Sequence, residues 1–345
     1  MNIAYFLDQN DFTLKDVVEL QDVKLIIDEE TNKNTEISVV KKLNSIKGDI
    51  ICIKEDNDIT YLGVISSPIN ENGSNKFTIT AKYITNLFDR SIFLENEQLI
   101  KNVGIEDFIK YTIENQFTNT ADTLLNKSYI EVEVLTHTPI QKSVTTDNGV
   151  YNFHTYINNA TQLYGITYDF KIEGKKLKIK IKKETEKQAI FDTTISDIVD
   201  YLEVFEENYT AKVNVKSESG SIYTLYLLND KTTTTDMNNA NRVLGEVENR
   251  YVQEDSDLQQ TALDVMAGNR YSHLIQFKIN RFSKIFDVSS LKIGMPFKMK
   301  SKEGIIYDTY LSCISRQLNS NFVELKFGSI RIDFIDRLNQ ERTVY

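Results

Sequence analysis

Lys76-Phe77-Thr78-Ile79-Thr80-Ala81-Lys82-Tyr83 is the most regular stretch of the chain, with Phe77, Ile79, Ala81 and Tyr83 at every second position. Successive side chains of a strand point to opposite faces, so this spacing predicts a half-buried strand with one apolar side. Immediately upstream, Asn72-Gly73 is a turn signal. Further upstream, Asp49–Lys54 and Ile59–Ser67 flank Glu55-Asp56-Asn57-Asp58, a composition suited to a hairpin turn. Val17–Asp28 reads as one long apolar-rich segment, and Asn34–Lys41 alternates weakly. Five or so strands joined by tight turns predict a small antiparallel barrel or sandwich, which we place over residues 1–98.

Downstream the periodicity changes. Ile105, Phe108, Ile109, Thr112, Ile113 and Phe117 recur at helical spacing, with Glu106 and Asp107 in the first turn, where carboxylates complement the helix dipole. A strand with Ile130, Val132 and Val134 on one face follows. A second helix is expected over Val150–Tyr164, with Gly165 as its left-handed cap. A hairpin then turns at Glu173-Gly174, so residues 99–186 read as an α+β segment. Residues 187–345 return to strands: a hairpin around Ser219-Gly220, a helix over Ser256–Met266, then His273–Asn280, Pro296–Lys300, Ile305–Cys313 and Phe322–Phe327. Asn229–Arg242 is polar, contains the run Thr232-Thr233-Thr234-Thr235 and lacks any period. It reads as a long loop that orders on meeting a partner. The fold class expected is α+β and β-rich: two small antiparallel β-barrels with an inserted α+β segment.

A chain of 345 residues is long enough for two or three domains. Its net charge of −10 makes it a poor candidate for gripping nucleic acid, since a phosphate backbone demands clustered Lys and Arg. Met1–Asp8 has no basic region and too short an apolar run for a signal peptide, and no stretch nears the ~18 apolar residues of a membrane span. Cys52 and Cys313 sit in apolar, strand-like runs and read as buried thiols rather than a disulfide framework.

Little in the sequence points to catalysis. His137, His154 and His273 lie far apart, and none has a metal-binding spacing. No phosphate-cradling loop, nucleophile elbow or dinucleotide fingerprint is present, and no cofactor is expected. Glu203, Glu206 and Glu207, with Tyr201, Phe205 and Tyr209 nearby, form the densest acidic patch and read as solvated surface. The most unusual charge feature is basic: Lys176, Lys178, Lys180 and Lys182 share one face of a strand whose other face carries Leu177, Ile179 and Ile181. That stripe reads as a solvated face, a lysine-guarded edge strand, or a contact for an acidic partner or subunit. With Thr232, Thr233, Thr234 and Thr235, these lysines are the candidate partner-contact residues.

The run Lys76–Ile92, in which the strand leads into Leu87-Phe88-Asp89-Arg90-Ser91-Ile92, resembles a segment of phage tail baseplate hub proteins, with Ser91 where a second Arg is common. Asn152–Gly165, ending in Tyr164-Gly165, resembles the family's second helix. Leu291-Lys292-Ile293-Gly294-Met295-Pro296 resembles the start of a strand in its second barrel, and Tyr310–Gly328 its closing hairpin. The resemblance spans residues 1–330, and the order of the parts carries it. It implies a non-enzymatic structural protein of a phage tail or tail-like particle, assembled in the bacterial cytoplasm. It implies a homotrimeric ring at the distal end of the tail tube, adapting the sixfold tube to a threefold tip. A tube or distal tail protein would lie on one side and a tip or spike protein on the other. DNA would pass through the channel without specific binding, and no membrane is involved. Two other readings are a receptor- or carbohydrate-binding module using Tyr251 or the Tyr201–Tyr209 cluster, and a cell-wall hydrolase. The short stretch after the last expected strand disfavours the hydrolase.

Overall fold

The computed structural model describes residues 2–21, 23–28, 34–40, 42–55, 58–67, 70–72, 76–94, 104–139, 149–184, 190–192, 197–205, 210–229, 232–268, 273–283, 287–300 and 306–328. The strand that opened the reading is β8 (Lys76–Tyr83), in which Ile79 and Ala81 are fully buried. It belongs to a curled seven-stranded sheet built with β1 (Asn2–Leu7), β2 (Leu14–Leu20), β4 (Thr35–Val39), β5 (Ile50–Glu55), β6 (Asp58–Ile65) and β7 (Asn70–Asn72). The strand order is β2-β1-β5-β6-β8-β4, with β7 paired to β8, and every pairing is antiparallel.

β5 shows why its sequence does not alternate. Ile50 and Cys52 face one core and Ile51 and Ile53 another, so all four are buried. A strand covered on both faces reads as a continuous apolar run. The second of these cores fills the first barrel. The first is shared with the middle of the chain: α1 (Ile105–Ile113), β10 (Ile130–Val134), α2 (Phe153–Tyr164), β12 (Ile166–Glu173) and β13 (Lys176–Lys183). β10, β13 and β12 form a three-stranded sheet in that order, whose Leu177, Ile179 and Ile181 are fully buried.

The expected second helix is shorter than its sequence suggested. Gly149–Asn152 is a strand, β11, that pairs Val150 with Phe93 of β9 (Ser91–Leu94). Asn152 then caps α2, its side chain accepting from Thr155 N at 3.1 Å, so an Asx cap and a β-branched residue override the helical spacing. Gly165 closes the helix at φ 69°, as the cap signal predicted.

The C-terminal part holds a second seven-stranded sheet, in the order β14 (Ile190–Asp192), β21 (Pro296–Lys300), β22 (Ile306–Gln317), β23 (Phe322–Phe327), β20 (His273–Asn280), β15 (Ile198–Phe205). Its seventh strand comes from the other end of the chain. Val17–Asp28 is two strands rather than one: β2 stays in the first sheet, whereas β3 (Lys24–Asp28) pairs antiparallel with β22. Apolar patterning reports that a segment is buried, not which sheet buries it. The molecule is thus α+β and β-rich, with two curled sheets. The β14–β21 pair is a parallel exception within the second sheet.

A separate four-stranded sheet, inserted in the chain between β15 and β20, has the order β18 (Thr233–Thr234), β17 (Ile222–Leu227), β16 (Thr210–Ser217), β19 (Glu246–Val252). One face packs on α3 (Leu258–Gly268) through Val213, Val215, Leu225, Val252, Leu258 and Ala262.

Candidate assembly surface

β13 lies between β10 and β12, so the lysine stripe is not on an edge strand. Its lysines point away from the core, and each meets a glutamate. Lys178 pairs with Glu173 at 2.6 Å, Lys180 with Glu133 at 3.1 Å, Lys182 with Glu184 at 2.6 Å, and Lys176 with Glu131 at 3.6 Å. The Glu173 hydrogen bond holds Lys178 above its ordinary pKa, and Lys178 lowers Glu173 in turn. The stripe therefore carries its counter-charges within its own sheet and on Glu184 just past it.

Thr232–Thr235 lies on a different sheet and is not structureless. Thr233 and Thr234 form β18 against Leu227 and Tyr226. Leu228 N donates to Thr232 O at 2.8 Å, Asp236 N to Thr234 Oγ1 at 3.1 Å, and Asn229 N to Asn241 O at 2.9 Å. Arg242 closes the excursion with its guanidinium 3.9 Å from the centre of the Tyr226 ring. Turn bonds made by Asp, Asn and Thr side chains have no hydrophobic period, so sequence periodicity missed this fold.

Tyr201 stacks on Phe277 with centroids 6.5 Å apart, and its hydroxyl donates to Glu203 at 2.8 Å, tying both into the second barrel. Glu206, Glu207 and Tyr209, and the side chain of Phe205, fall outside the described residues. His154 and His273 are buried against Thr85 and Thr309, and exposed His137 meets Asp107 at 2.7 Å. Both cysteines are buried, and desolvation pushes the Cys52 thiol up to about 11. Two open surface grooves, of about 310 and 410 Å³, lie beside Glu114–Val132 and beside β3 and β23. The charged groups of the second are already paired, Lys278 with Asp200 at 2.7 Å and Lys24 with Glu324 at 3.4 Å.

A tie between the two barrels was not legible in the sequence. Glu55, at the end of β5, takes Arg281 at 3.0 Å and Arg316 at 2.5 Å from the second barrel. Burial opposes its charged form, but the two guanidiniums outweigh it and hold the carboxyl below its ordinary pKa. Leu318, just past β22, is buried in the core of the first barrel, with its N–H donating to Val23 O at 2.9 Å.

Two curled sheets joined in this way around an α+β segment are a fold also found in solved tail proteins. The chain is similar to a tail protein from Neisseria meningitidis MC58, with TM-score 0.55 and 11% identity over 95% of this chain and 97% of that one. It is also similar to the 43 kDa tail protein of prophage MuSo2 from Shewanella oneidensis, with TM-score 0.53 and 10% identity over 95% and 98%. No family model matches the sequence, and no curated protein matches it.

Proposed function

We propose that the chain is a structural tail hub protein of a phage or tail-like particle, without catalytic activity. In this reading it works as a homotrimer at the distal end of the tail tube, with three blocks per subunit: residues 1–98, 99–186 and 187–345. Each subunit carries two curled seven-stranded sheets, so three subunits offer six similar units around one axis. Such a ring matches a sixfold tube on one side and a threefold tip or spike on the other.

The observation that carries the reading is the stitching of the two sheets. β3 sits in the sheet of the C-terminal block, Leu318 fills the core of the N-terminal block, and Glu55 holds Arg281 and Arg316. A subunit spanning two positions of a ring needs its halves held at a fixed angle, and a shared strand supplies that. The acidic balance suits passage of DNA without adhesion. Light scattering across a concentration series, with negative-stain images, tests the reading. A trimeric ring with a central channel is expected; a monomer at every concentration, unchanged by added tail tube protein, would overturn it.

A further inference from the structure

The face of the four-stranded sheet away from α3 is open along β19 and at Ile222 and Lys216, and covered at Tyr226. Cross-strand register puts Tyr226, Lys212 and Val247 in one row, Thr224, Asn214 and Asn249 in the next, and Ile222, Lys216 and Tyr251 in the third. The middle row is bonded laterally: Thr224 Oγ1 donates to Asn214 Oδ1 at 3.0 Å, and Asn214 Nδ2 to Asn249 Oδ1 at 2.9 Å. These bonds tie the three strands laterally; Tyr226 is buried beneath Arg242, while Ile222, Val247 and Tyr251 stay in solvent. Ile222, Val247 and Tyr251 are 64%, 55% and 60% exposed. Leu244, just before β19, is 95% exposed. Branched aliphatic side chains grouped on one face mark a surface that a protein covers.

The charges of this face are one-sided. Lys212 lies 5.7 Å from the Tyr226 ring centre, Arg242 stacks on the same ring, and Lys216 stands in the third row. Glu248 alternates to the opposite side of β19 with Val252, and Glu246 lies across from Thr210 at the corner of the face, where the pairing is irregular. In a chain with 50 acidic against 40 basic residues, a face on which Lys212, Lys216 and Arg242 outnumber Glu246 is the exception. Two such faces stacked on each other would set lysine against lysine, so the face does not pair with itself. It fits an acidic, partly apolar surface, and the net charge of −10 leaves the rest of this chain acidic on balance.

We infer that this face docks against a second copy of the chain, on a different and acidic surface of that copy. A contact between two unlike surfaces is heterologous and closes into a ring when the rotation allows, so it serves an odd-numbered assembly. β18, with Thr233 and Thr234, forms the edge of this face, which brings the threonine run into the contact. The inference rests on the trimer reading and adds where the subunits meet.

Sedimentation of the full chain decides it, using wild type, Lys212→Glu/Lys216→Glu and, as a variant that keeps the charge, Tyr251→Ala. All three positions are on the solvent side of the sheet, and matching thermal melts verify folding. The expected result is an oligomer for wild type that weakens at least tenfold in either variant. Raising salt from about 0.05 to 0.5 M should loosen it as well, since screening shortens the reach of charges from over 10 Å to a few ångström. An unchanged oligomer in both variants would overturn the inference and leave the trimer reading standing. A wild-type monomer would overturn both. A monomer whose face binds a fluorescein-labelled single-stranded DNA, with loss in the variants, would overturn the protein contact in favour of a nucleic-acid one.

Discussion

Glu55 holds two guanidiniums across the seam of the barrels, with its side chain 18% exposed. Replacing it with Gln leaves Arg281 and Arg316 facing a neutral amide, and hydrogen bonds to charged groups are worth about 2 kcal/mol. Glu55→Gln is expected to lower unfolding stability by about that amount at pH 7. The sign with pH follows from the lowered carboxyl. Its contribution is present above its ordinary 4.5 and disappears as pH falls through the depressed folded value. Denaturant melts of wild type and variant should therefore converge in acid; a constant gap would contradict this. His137 behaves oppositely. The hydrogen bond to Asp107 raises its pKa above 6.5, so its contribution is full below 6.5 and fades as pH rises through the folded value. Asp107→Asn should erase a pH-dependent difference confined to that window. Neither pair was legible in the sequence: Glu55 and Arg316 are 261 positions apart. The sequence marked Glu55 only as part of a turn.

At the scale of elements, local signals were reliable and partners were not. The alternation of β8, the cap at Gly165 and the turn at Glu173-Gly174 all follow from backbone chemistry within a few residues. The parting of β2 from β3 does not, because both are apolar and only tertiary pairing separates them. Likewise the lysines of β13 were evident, but their glutamates come from β10, β12 and the residue just past β13. Two substitutions probe this scale. Asn152→Ala removes the cap of α2 and should cost about 1 kcal/mol. Leu318→Ala leaves a cavity in the first barrel although residue 318 follows a strand of the second, and about 3 kcal/mol is expected. A cost near zero for Leu318→Ala would mean that the turn after β22 does not seat in the first barrel.

For the whole molecule, the exchange of β3 makes the two barrels parts of one folding unit. Intrinsic tyrosine fluorescence and far-ultraviolet circular dichroism should report the same midpoint in denaturant, and two separated transitions would contradict the stitching. The composition made the chain a poor candidate for gripping nucleic acid but was silent on assembly, because contact surfaces lie on residues with no period. The exposed side chains around Tyr251 also have no period: sequence marked that tyrosine singly, and only the register showed Val247, Ile222 and the lysines beside it. The most direct test of a ring-forming hub is cryo-electron microscopy of the purified chain at assembling concentration, with tail tube protein added in a second sample. A threefold ring with six similar lobes around an open channel is the expected result. Particles without rotational symmetry in both samples would contradict it.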